Sequence, residues 1–285
     1  MRLFLLTALT MIAFAANSVL NRAALVDGEI TALQFSAIRA VSGAFILIVL
    51  ILMQSRSLSR LRAGSVTGGG MLALYLVGFS IAYVHVDSGV GALILFGGVQ
   101  VTMFSGAVFA RESIPLQRWA GAAFAFVGLA ILVWPTGYSS PALNGVLLMG
   151  IAAVGWGIYS LLGRGTKDPL AATSANFIWA CIPVLCAVFL MDGSKLPDMS
   201  PVILYAILSG GITSGLGYAL WYQLLPQLRT TVAAIAQLSV PVIAAAGGAL
   251  FLGEVTDIRF WIASFLVLGG IALSLLPSRQ RVSKS

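Results

Sequence analysis

The sequence predicts an all-α integral membrane protein with ten transmembrane helices in two inverted-topology repeats of five. Of its 285 residues, 59% are hydrophobic and only 9% are charged, whereas soluble domains carry about 25% charged residues. Apolar runs of about 20 residues recur along the chain, and this is the length that a helix needs to cross a bilayer. The second half of the chain also repeats the first at an offset of 142 residues. Composition, run length and repetition together predict the fold class.

Ten apolar runs are long enough to serve as spans. They are too long for barrel strands and lack the alternation of a barrel, so helices are the expected form. Asp168-Pro169 marks a helix start, because an N-cap residue precedes a first-turn proline. Pro183 and Pro241 lie inside spans seven and nine and predict kinks there. The spans cover residues 3–24, 31–53, 67–86, 89–110, 115–134, 142–163, 170–191, 200–223, 230–252 and 257–276.

The repeat is clearest where residues 92–135 align without a gap on residues 234–277. Glutamate is rare in this chain, so the shared pair Glu112/Glu254 is strong evidence of duplication. The predicted repeats are residues 1–138, with spans one to five, and residues 139–285, with spans six to ten.

The first span also has features of a cleaved signal peptide, because Arg2 precedes an apolar run that ends in small residues. Residues 3–24 nevertheless have a partner in residues 145–166, with Arg22 opposite Arg164. Cleavage would delete one helix from one repeat only, so we expect the segment to be retained.

Lysine and arginine residues predict the orientation. Twelve of them fall on the side of both termini, and only Arg22, Lys195 and Arg259 fall on the opposite side. We therefore expect cytoplasmic N- and C-termini in a bacterial-type inner membrane. The net charge of +7 is then a topology signal, and no nucleic-acid partner is predicted.

Five spans per repeat is an odd number, so the second repeat must enter the membrane from the opposite side. Inverted repeats are a recurrent plan of secondary transporters, because two similar halves can exchange conformations around a site at the membrane midplane. The expected activity is transport of a small molecule by alternating access. A duplicated structural membrane protein without transport activity is the alternative.

The paired blocks F-A-R-E…W-A-G…F-V-G-L-A and F-L-G-E…W-I-A…L-G-G-I-A begin at Phe109 and Phe251. With them, the whole chain resembles the EamA branch of the drug/metabolite transporter superfamily, and within it the YddG-type exporters of aromatic amino acids. The first copy carries Arg111 where the second has Gly253. The resemblance implies an inner-membrane carrier with a central cavity that exports aromatic and large neutral amino acids and related metabolites. A multidrug or other metabolite exporter of the same superfamily is the alternative.

Aromatic stripes predict the substrate site. Tyr75, Phe79 and Tyr83 recur every fourth residue on span three and share one face of its helix. Span eight, its repeat partner, carries a similar face, and spans one and six add further rings and polar groups. An apolar pocket with a few placed polar groups is typical of small-ligand sites, although the same rings could simply pack between helices. The predicted substrate-binding residues are Phe14, Asn17, Phe79, Tyr83, Gln100, Trp156, Tyr159, Tyr218, Trp221, Tyr222 and Gln237.

Few polar residues lie inside the spans. Arg39 lies about nine residues into span two, roughly 13 Å deep, which is too far for its side chain to reach the interface easily. Its partner is either a substrate carboxylate or an internal carbonyl, and the structural pairing is favoured. Gln100 and Gln237 are placed either to orient a zwitterion or to bond across helices. No predicted span contains an internal acid, which removes the simplest proton-coupling group and favours facilitated diffusion or exchange.

An enzyme is not predicted, and neither is a cofactor or a metal. Intramembrane hydrolysis needs a nucleophile with a base or paired metal ligands, but the chain has one histidine, His85, near the outer end of span three. A solvated loop-edge residue is the favoured interpretation of His85, and a titrating group is the other. Cys181 and Cys186 are five residues apart and face different sides of one helix, so they form neither a disulfide nor a metal site.

Two further features are predicted to be structural. Glu112 and Glu254 lie at span ends, where a carboxylate favours the positive N-terminus of the next helix. The small residues Gly98-xxx-Thr102-xxx-Gly106 and Gly211-xxx-Gly215 allow close helix approach, within the chain or in a homodimer.

Overall fold

The computed structural model describes residues 1–55, 58–111, 114–134, 141–163, 166–193, 201–228, 232 and 236–275. Within these residues every regular element is helical, and none is a strand. In chain order the helices are α1 (Arg2–Leu25), α2 (Ala32–Ser55), α3 (Val66–Tyr83), α4 (Ser88–Phe109), α5 (Leu116–Val133), α6 (Leu143–Gly163), α7 (Pro169–Ala187), α8 (the consecutive pieces Pro201–Ile207, Leu208–Leu216 and Gly217–Leu224), α9 (Ser239–Leu252) and α10 (Ile258–Ser274).

Eight of the described helices, α1 to α8, are long and apolar enough to cross a membrane. Helices α9 and α10 are apolar but shorter, at 14 and 17 residues. Part of the predicted ninth span, just before α9, lies outside the described residues. The all-helical, multi-pass membrane class is thus confirmed, while the count of ten spans and their inverted topology stay predictions.

Helices α7 and α8 both contain π-helical turns. The middle of α8, Leu208–Leu216, is a π-helix rich in serine, glycine and threonine, and α7 continues after Pro183 into the π-helical turn Val188–Asp192. Wide turns of this kind frequently lie at functional sites. Pro241, predicted to kink the middle of a span, instead lies in the first turn of α9, which begins at Ser239. A first-turn proline leaves no hydrogen bond unmade, so it fits there without strain.

Side-chain caps fix two helix starts. The Asp168 carboxylate accepts a hydrogen bond of 3.1 Å from the backbone N–H of Ala171 and starts α7 where the sequence predicts. Asp257 accepts a bond of 2.9 Å from the N–H of Phe260 and starts α10. Each cap satisfies one of the free donors of a first helical turn.

The ends of α4 and α9 share an uncommon backbone conformation. Arg111, which follows α4, has a φ of 55°, and its repeat counterpart Gly253, which follows α9, has a φ of 68°. The left-handed region suits glycine and is disfavoured for a side chain with a Cβ. The two repeats therefore keep the same turn although only the second retains the residue that favours it.

The packing of helices has the same pattern in both halves. Helix α1 packs on α8 and α9, and its repeat counterpart α6 packs on α3 and α4. Helix α2 contacts α7, and α5 contacts α10, so repeat counterparts also pair with each other. Exchanging the two halves therefore maps this set of contacts onto itself.

The glycine stripes are used within the chain. Gly98 and Gly106 on α4 face Ala153 and Leu161 on α6, at distances where an added Cβ would collide. Gly211 on α8 faces Ile46 on α2. Because these stripes already bring helices of one chain together, they give no separate support for a homodimer, which stays a prediction.

Candidate functional site

A cavity lies between the two halves of the molecule. Helices α1, α3, α4, α6 and α8 line it, together with a residue that precedes α9. The lining residues are Phe14, Asn17, Ser18, Tyr75, Phe79, Leu95, Phe96, Trp156, Thr213, Tyr218, Trp221 and Gln237.

Aromatic rings form a continuous wall around this cavity. The Trp156 ring lies 4.8 Å from the Tyr75 ring and 5.1 Å from the Tyr218 ring, between centroids. Phe14 meets Tyr218 and Trp221 edge to face, at 5.7 and 6.0 Å. Ring pairs at these distances attract each other beyond simple burial. The wall is therefore rigid and offers a ligand both ring faces and ring edges.

The polar end of the cavity is built by the π-helical part of α8. Ser209 and Thr213 donate hydrogen bonds of 2.6 and 3.1 Å to the Oδ1 atom of Asn17. Asn21 reaches Ser209 at 3.2 Å and accepts a bond of 2.9 Å from Ser80 on α3. Because the Asn17 oxygen is already occupied, its amide N–H groups are what it can offer to a ligand.

Arg39 lies behind the aromatic wall and is 0% exposed. Its Nη2 donates to the Tyr75 hydroxyl at 3.0 Å, and its Nε donates to Ser214 at 3.3 Å. The guanidinium carbon lies 4.9 Å from the centroid of the Phe79 ring. The sequence predicts either a carboxylate or a carbonyl as its partner, and the structure gives it two hydroxyls and ring faces.

A partly buried ionic cluster joins the end of α1, the start of α4 and the α9–α10 loop. Glu254, in the α9–α10 loop, accepts a bond of 2.9 Å from the backbone N–H of Ser88, the first residue of α4. It also lies 3.5 Å from the Nε atom of Arg22 at the end of α1. Burial raises the pKa of Glu254, as does the neighbouring Asp87, against the opposing effects of Ser88 and Arg22. Glu254 thus binds the N-terminus of α4, whereas the sequence predicted a role at the next helix along the chain, α10, which Asp257 caps instead.

Seven of the predicted substrate-binding residues line the cavity together, namely Phe14, Asn17, Phe79, Trp156, Tyr218, Trp221 and Gln237. Three others lie elsewhere among the described residues. Tyr83 is buried and donates to the Ser88 carbonyl, and Gln100 is half-buried on α4. Tyr159 donates to Thr173 at 3.2 Å and lines a second cavity. Tyr222 lies in α8, but its side chain is outside the described set, as are Glu112 and Arg164.

The sequence-based choice omitted five lining residues: Ser18, Tyr75, Leu95, Phe96 and Thr213. Tyr75 belongs to the predicted aromatic stripe of α3, so helical spacing alone could have identified it. Thr213 could not be identified in this way, because a π-helix rotates side chains away from α-helical spacing. His85 is exposed and lies 3.2 Å from the Asn144 amide, as the loop-edge interpretation expects. Among the described residues no group of three or more metal-ligating side chains occurs.

These features define a class: a multi-pass membrane protein built around an aromatic cavity between two halves. The sequence profile of the EamA-like transporter family matches residues 143–276, in the second half of the chain. The chain is therefore a membrane transporter of the drug/metabolite transporter superfamily.

Known relatives extend the match beyond the second half. A protein of Pseudomonas aeruginosa, described only as uncharacterized, is 45% identical and aligns over 99% of this chain and 98% of its own length. Two proteins described as probable amino-acid metabolite efflux pumps, from Salmonella typhimurium and Escherichia coli, are each 25% identical over 68% of this chain and 69% of their own. A solved crystal structure with 19% identity covers 94% of both chains at a TM-score of 0.66 and shares the fold.

Proposed function

We propose that this transporter exports aromatic and large neutral amino acids, with related metabolites, across the inner membrane by alternating access. The observation that carries the proposal is the aromatic cavity, because rings on three sides suit an aromatic or large apolar side chain. The relatives described as amino-acid metabolite efflux pumps support the same substrate class.

Uncharged polar groups in the cavity suit the backbone end of an amino acid. Asn17 offers amide N–H groups, Thr213 a hydroxyl oxygen, and Gln237 both a donor and an acceptor. They lie against the same cavity as the ring of Trp156. A substrate with an apolar ring and a compact polar end would therefore be matched at both ends.

The packing of the helices supports alternating access. Because the helix contacts of one half recur in the other, the halves can exchange conformations and open the cavity on opposite sides. We infer that the contacts of Glu254 with Ser88 and Arg22 close one end of the cavity in the present conformation. We place this end on the outer side, with both termini in the cytoplasm.

The distribution of charge supports facilitated diffusion or exchange. In the described parts of the membrane helices Arg39 is the charged residue at depth, and an arginine keeps its proton in proteins. A carrier without a titrating group beside its substrate has no simple means of making its proton load differ between its two open states. Flux should therefore follow the gradient of the substrate.

Transport into proteoliposomes tests the proposal. The purified chain should exchange labelled phenylalanine, tryptophan and leucine, and should carry neither sugar phosphates nor quaternary ammonium drugs. Transport of the quaternary ammonium drugs without amino-acid flux would instead support a multidrug exporter, and the absence of any flux would contradict transport of the tested classes.

A pair of tryptophan variants locates the flux in the cavity. Trp156→Ala should reduce exchange strongly, because it removes the ring that contacts Tyr75 and Tyr218. Trp119→Ala is the matched control, because Trp119 is 50% exposed on α5 and lies outside the cavity. Equal losses in both variants would contradict the assignment of the cavity.

A further inference from the structure

Arg39 carries a positive charge that no acid balances among the described residues. The ion pairs found there join Arg22 and Arg60 to acids at helix ends, and none includes Arg39. Its partners are the hydroxyls of Tyr75 and Ser214, and its buried Nη1 atom has no hydrogen-bond partner. A buried charge with only neutral partners is costly to maintain, and in a membrane protein it usually has a functional reason.

The charge of Arg39 acts directly on the wall of the cavity. Its guanidinium carbon lies 5.2 Å from the centroid of the Tyr75 ring and 4.9 Å from that of Phe79, and both rings line the cavity. Tyr75 accepts a hydrogen bond from Arg39 through its hydroxyl oxygen, so its own proton is available for donation. A hydroxyl polarised by a guanidinium is a stronger donor than an isolated one. The wall therefore presents a positive potential and a polarised O–H group at the same place.

The other residues around the cavity offer a cationic ligand no comparable attraction. Its described lining residues include no aspartate and no glutamate, and Asn17, Thr213 and Gln237 are uncharged. An ammonium group would find ring faces and neutral oxygens, and the charge of Arg39 would repel it. A carboxylate would find opposite charge and charge-assisted hydrogen bonds.

We propose that Arg39 and Tyr75 form an anion subsite that recognises the substrate carboxylate, and that the amino group is dispensable. Resting on the function proposed above, this inference extends the substrate class to aromatic monocarboxylates without an amine. Such an anion neutralises the charge of Arg39 on binding, whereas a zwitterion brings a positive group into the same cavity. The carboxylate, rather than the amine, is then the group that the transporter requires.

Two compounds with the phenyl ring of phenylalanine each carry only one of its two charged groups, so they test the carboxylate and the amine separately. In proteoliposomes that exchange labelled phenylalanine, 3-phenylpropanoate keeps the carboxylate and 2-phenylethylamine keeps the amine. We expect 3-phenylpropanoate to inhibit exchange at a concentration at least about tenfold lower than 2-phenylethylamine does. We also expect 3-phenylpropanoate to be transported itself. Equal inhibition, or stronger inhibition by the amine, would overturn the subsite and leave the proposed function intact. Flux of 3-phenylpropanoate without phenylalanine flux would support the subsite and contradict amino-acid export, and flux of neither would overturn both.

Variants of Arg39 and Tyr75 test whether these two residues cause the preference for the carboxylate over the amine. Tyr75→Phe keeps the ring and removes the polarised hydroxyl, so it should raise the inhibitory concentration of 3-phenylpropanoate about tenfold and leave that of 2-phenylethylamine unchanged. Tyr83→Phe is the matched control on the same helix, because Tyr83 lies outside the cavity, and it should keep the preference for the carboxylate. Arg39→Gln should abolish the preference and Arg39→Lys should retain part of it. If Arg39→Gln fails to fold, Tyr75→Phe and Arg39→Lys still decide the matter, because an unchanged preference in both would overturn the proposal.

Discussion

The Nε atom of Arg22 lies 3.5 Å from a carboxylate oxygen of Glu254, and this contact joins the first half of the chain to the second. Arg22 also donates to the backbone carbonyls of Tyr83 and Val84 at 2.9 and 3.0 Å. Glu254 in turn accepts from the N–H of Ser88. The end of α1, the α3–α4 turn and the α9–α10 loop are therefore held together by one carboxylate and one guanidinium.

Removing the Glu254 carboxylate should open the end of the cavity that this contact is proposed to close. Glu254→Ala leaves Arg22 and the first N–H of α4 without their shared partner, which favours the open state by about 1–3 kcal/mol. A cysteine placed at Thr213, in a background with Cys181 and Cys186 replaced by serine, should react faster with a membrane-impermeant thiol reagent added outside. Asp87→Asn, which alters only a half-exposed partner of Arg22, serves as the control and should change the rate little. An unchanged rate in Glu254→Ala would show that other contacts close this end.

The same contact should depend on pH. The raised pKa of Glu254 means that the closed, buried site binds a proton more tightly than an open, solvated one, so closure is favoured as pH falls through the raised pKa. Labelling of the cavity cysteine should slow as pH falls through the raised pKa toward the ordinary carboxyl pKa, relative to the same cysteine in Glu254→Gln. Parallel profiles in the two proteins would mean that Glu254 titrates alike in the open and closed states.

The turn after α4 should be stabilised by the residue that the second repeat uses there. Arg111→Gly removes a side chain from a left-handed backbone and should raise the free energy of unfolding by about 0.5–1 kcal/mol. Gly253→Ala, at the counterpart turn, should lower the free energy of unfolding by about 1 kcal/mol. No atom lies within 4 Å of the added Cβ, so backbone strain is the expected cause. Thermal unfolding in detergent measures both. Shifts of the same sign in the two variants would contradict the equivalence of the turns.

Asp168 should contribute to stability in two separable ways. It caps α7 through Ala171 and pairs with Arg60, whose Nε lies 2.8 Å away. Asp168→Ala should lower the free energy of unfolding by about 1 kcal/mol. Asp168→Asn should lower it less, because asparagine keeps the cap. Arg60→Ala should lower it by at most about 0.5 kcal/mol, because the ion pair is partly exposed. The hydrogen bond from Arg60 lowers the pKa of Asp168, so its contribution is present above the ordinary carboxyl pKa and is lost as pH falls through the lowered one. A loss in Arg60→Ala as large as that in Asp168→Ala would assign the whole effect to the ion pair.

Accessible tags test the orientation. Tags at residues 57 and 285 should react only from the cytoplasm, and tags at residues 28, 138 and 195 only from outside. Of these positions residue 28 lies within the described part of the chain. Labelling of residue 57 from outside would contradict both the orientation and the inverted repeat.

Helical spans were predictable from the sequence because they are a local property, and the division into similar halves was predicted from a periodic one. Runs of apolar residues define a span without reference to any neighbour, and the Glu112/Glu254 pair shows the offset of the repeats directly. The four-residue spacing of Tyr75 and Phe79 also predicted a shared face, and both rings line the cavity. The N-cap at Asp168 was equally local, since it needs only an aspartate before the first turn.

Tertiary structure alone decided which polar and aromatic groups meet in the cavity. Lipid is as apolar as the interior of a helix bundle, so hydrophobicity does not distinguish a helix face that meets lipid from one that meets protein. Tyr83 continues the stripe of Phe79 yet donates to the Ser88 carbonyl outside the cavity. Thr213 reaches the cavity because a π-helix carries it there. The partners of Arg39 come from two helices far apart in sequence, α3 and α8, and only the packing of these helices against α2 determines what surrounds its charge.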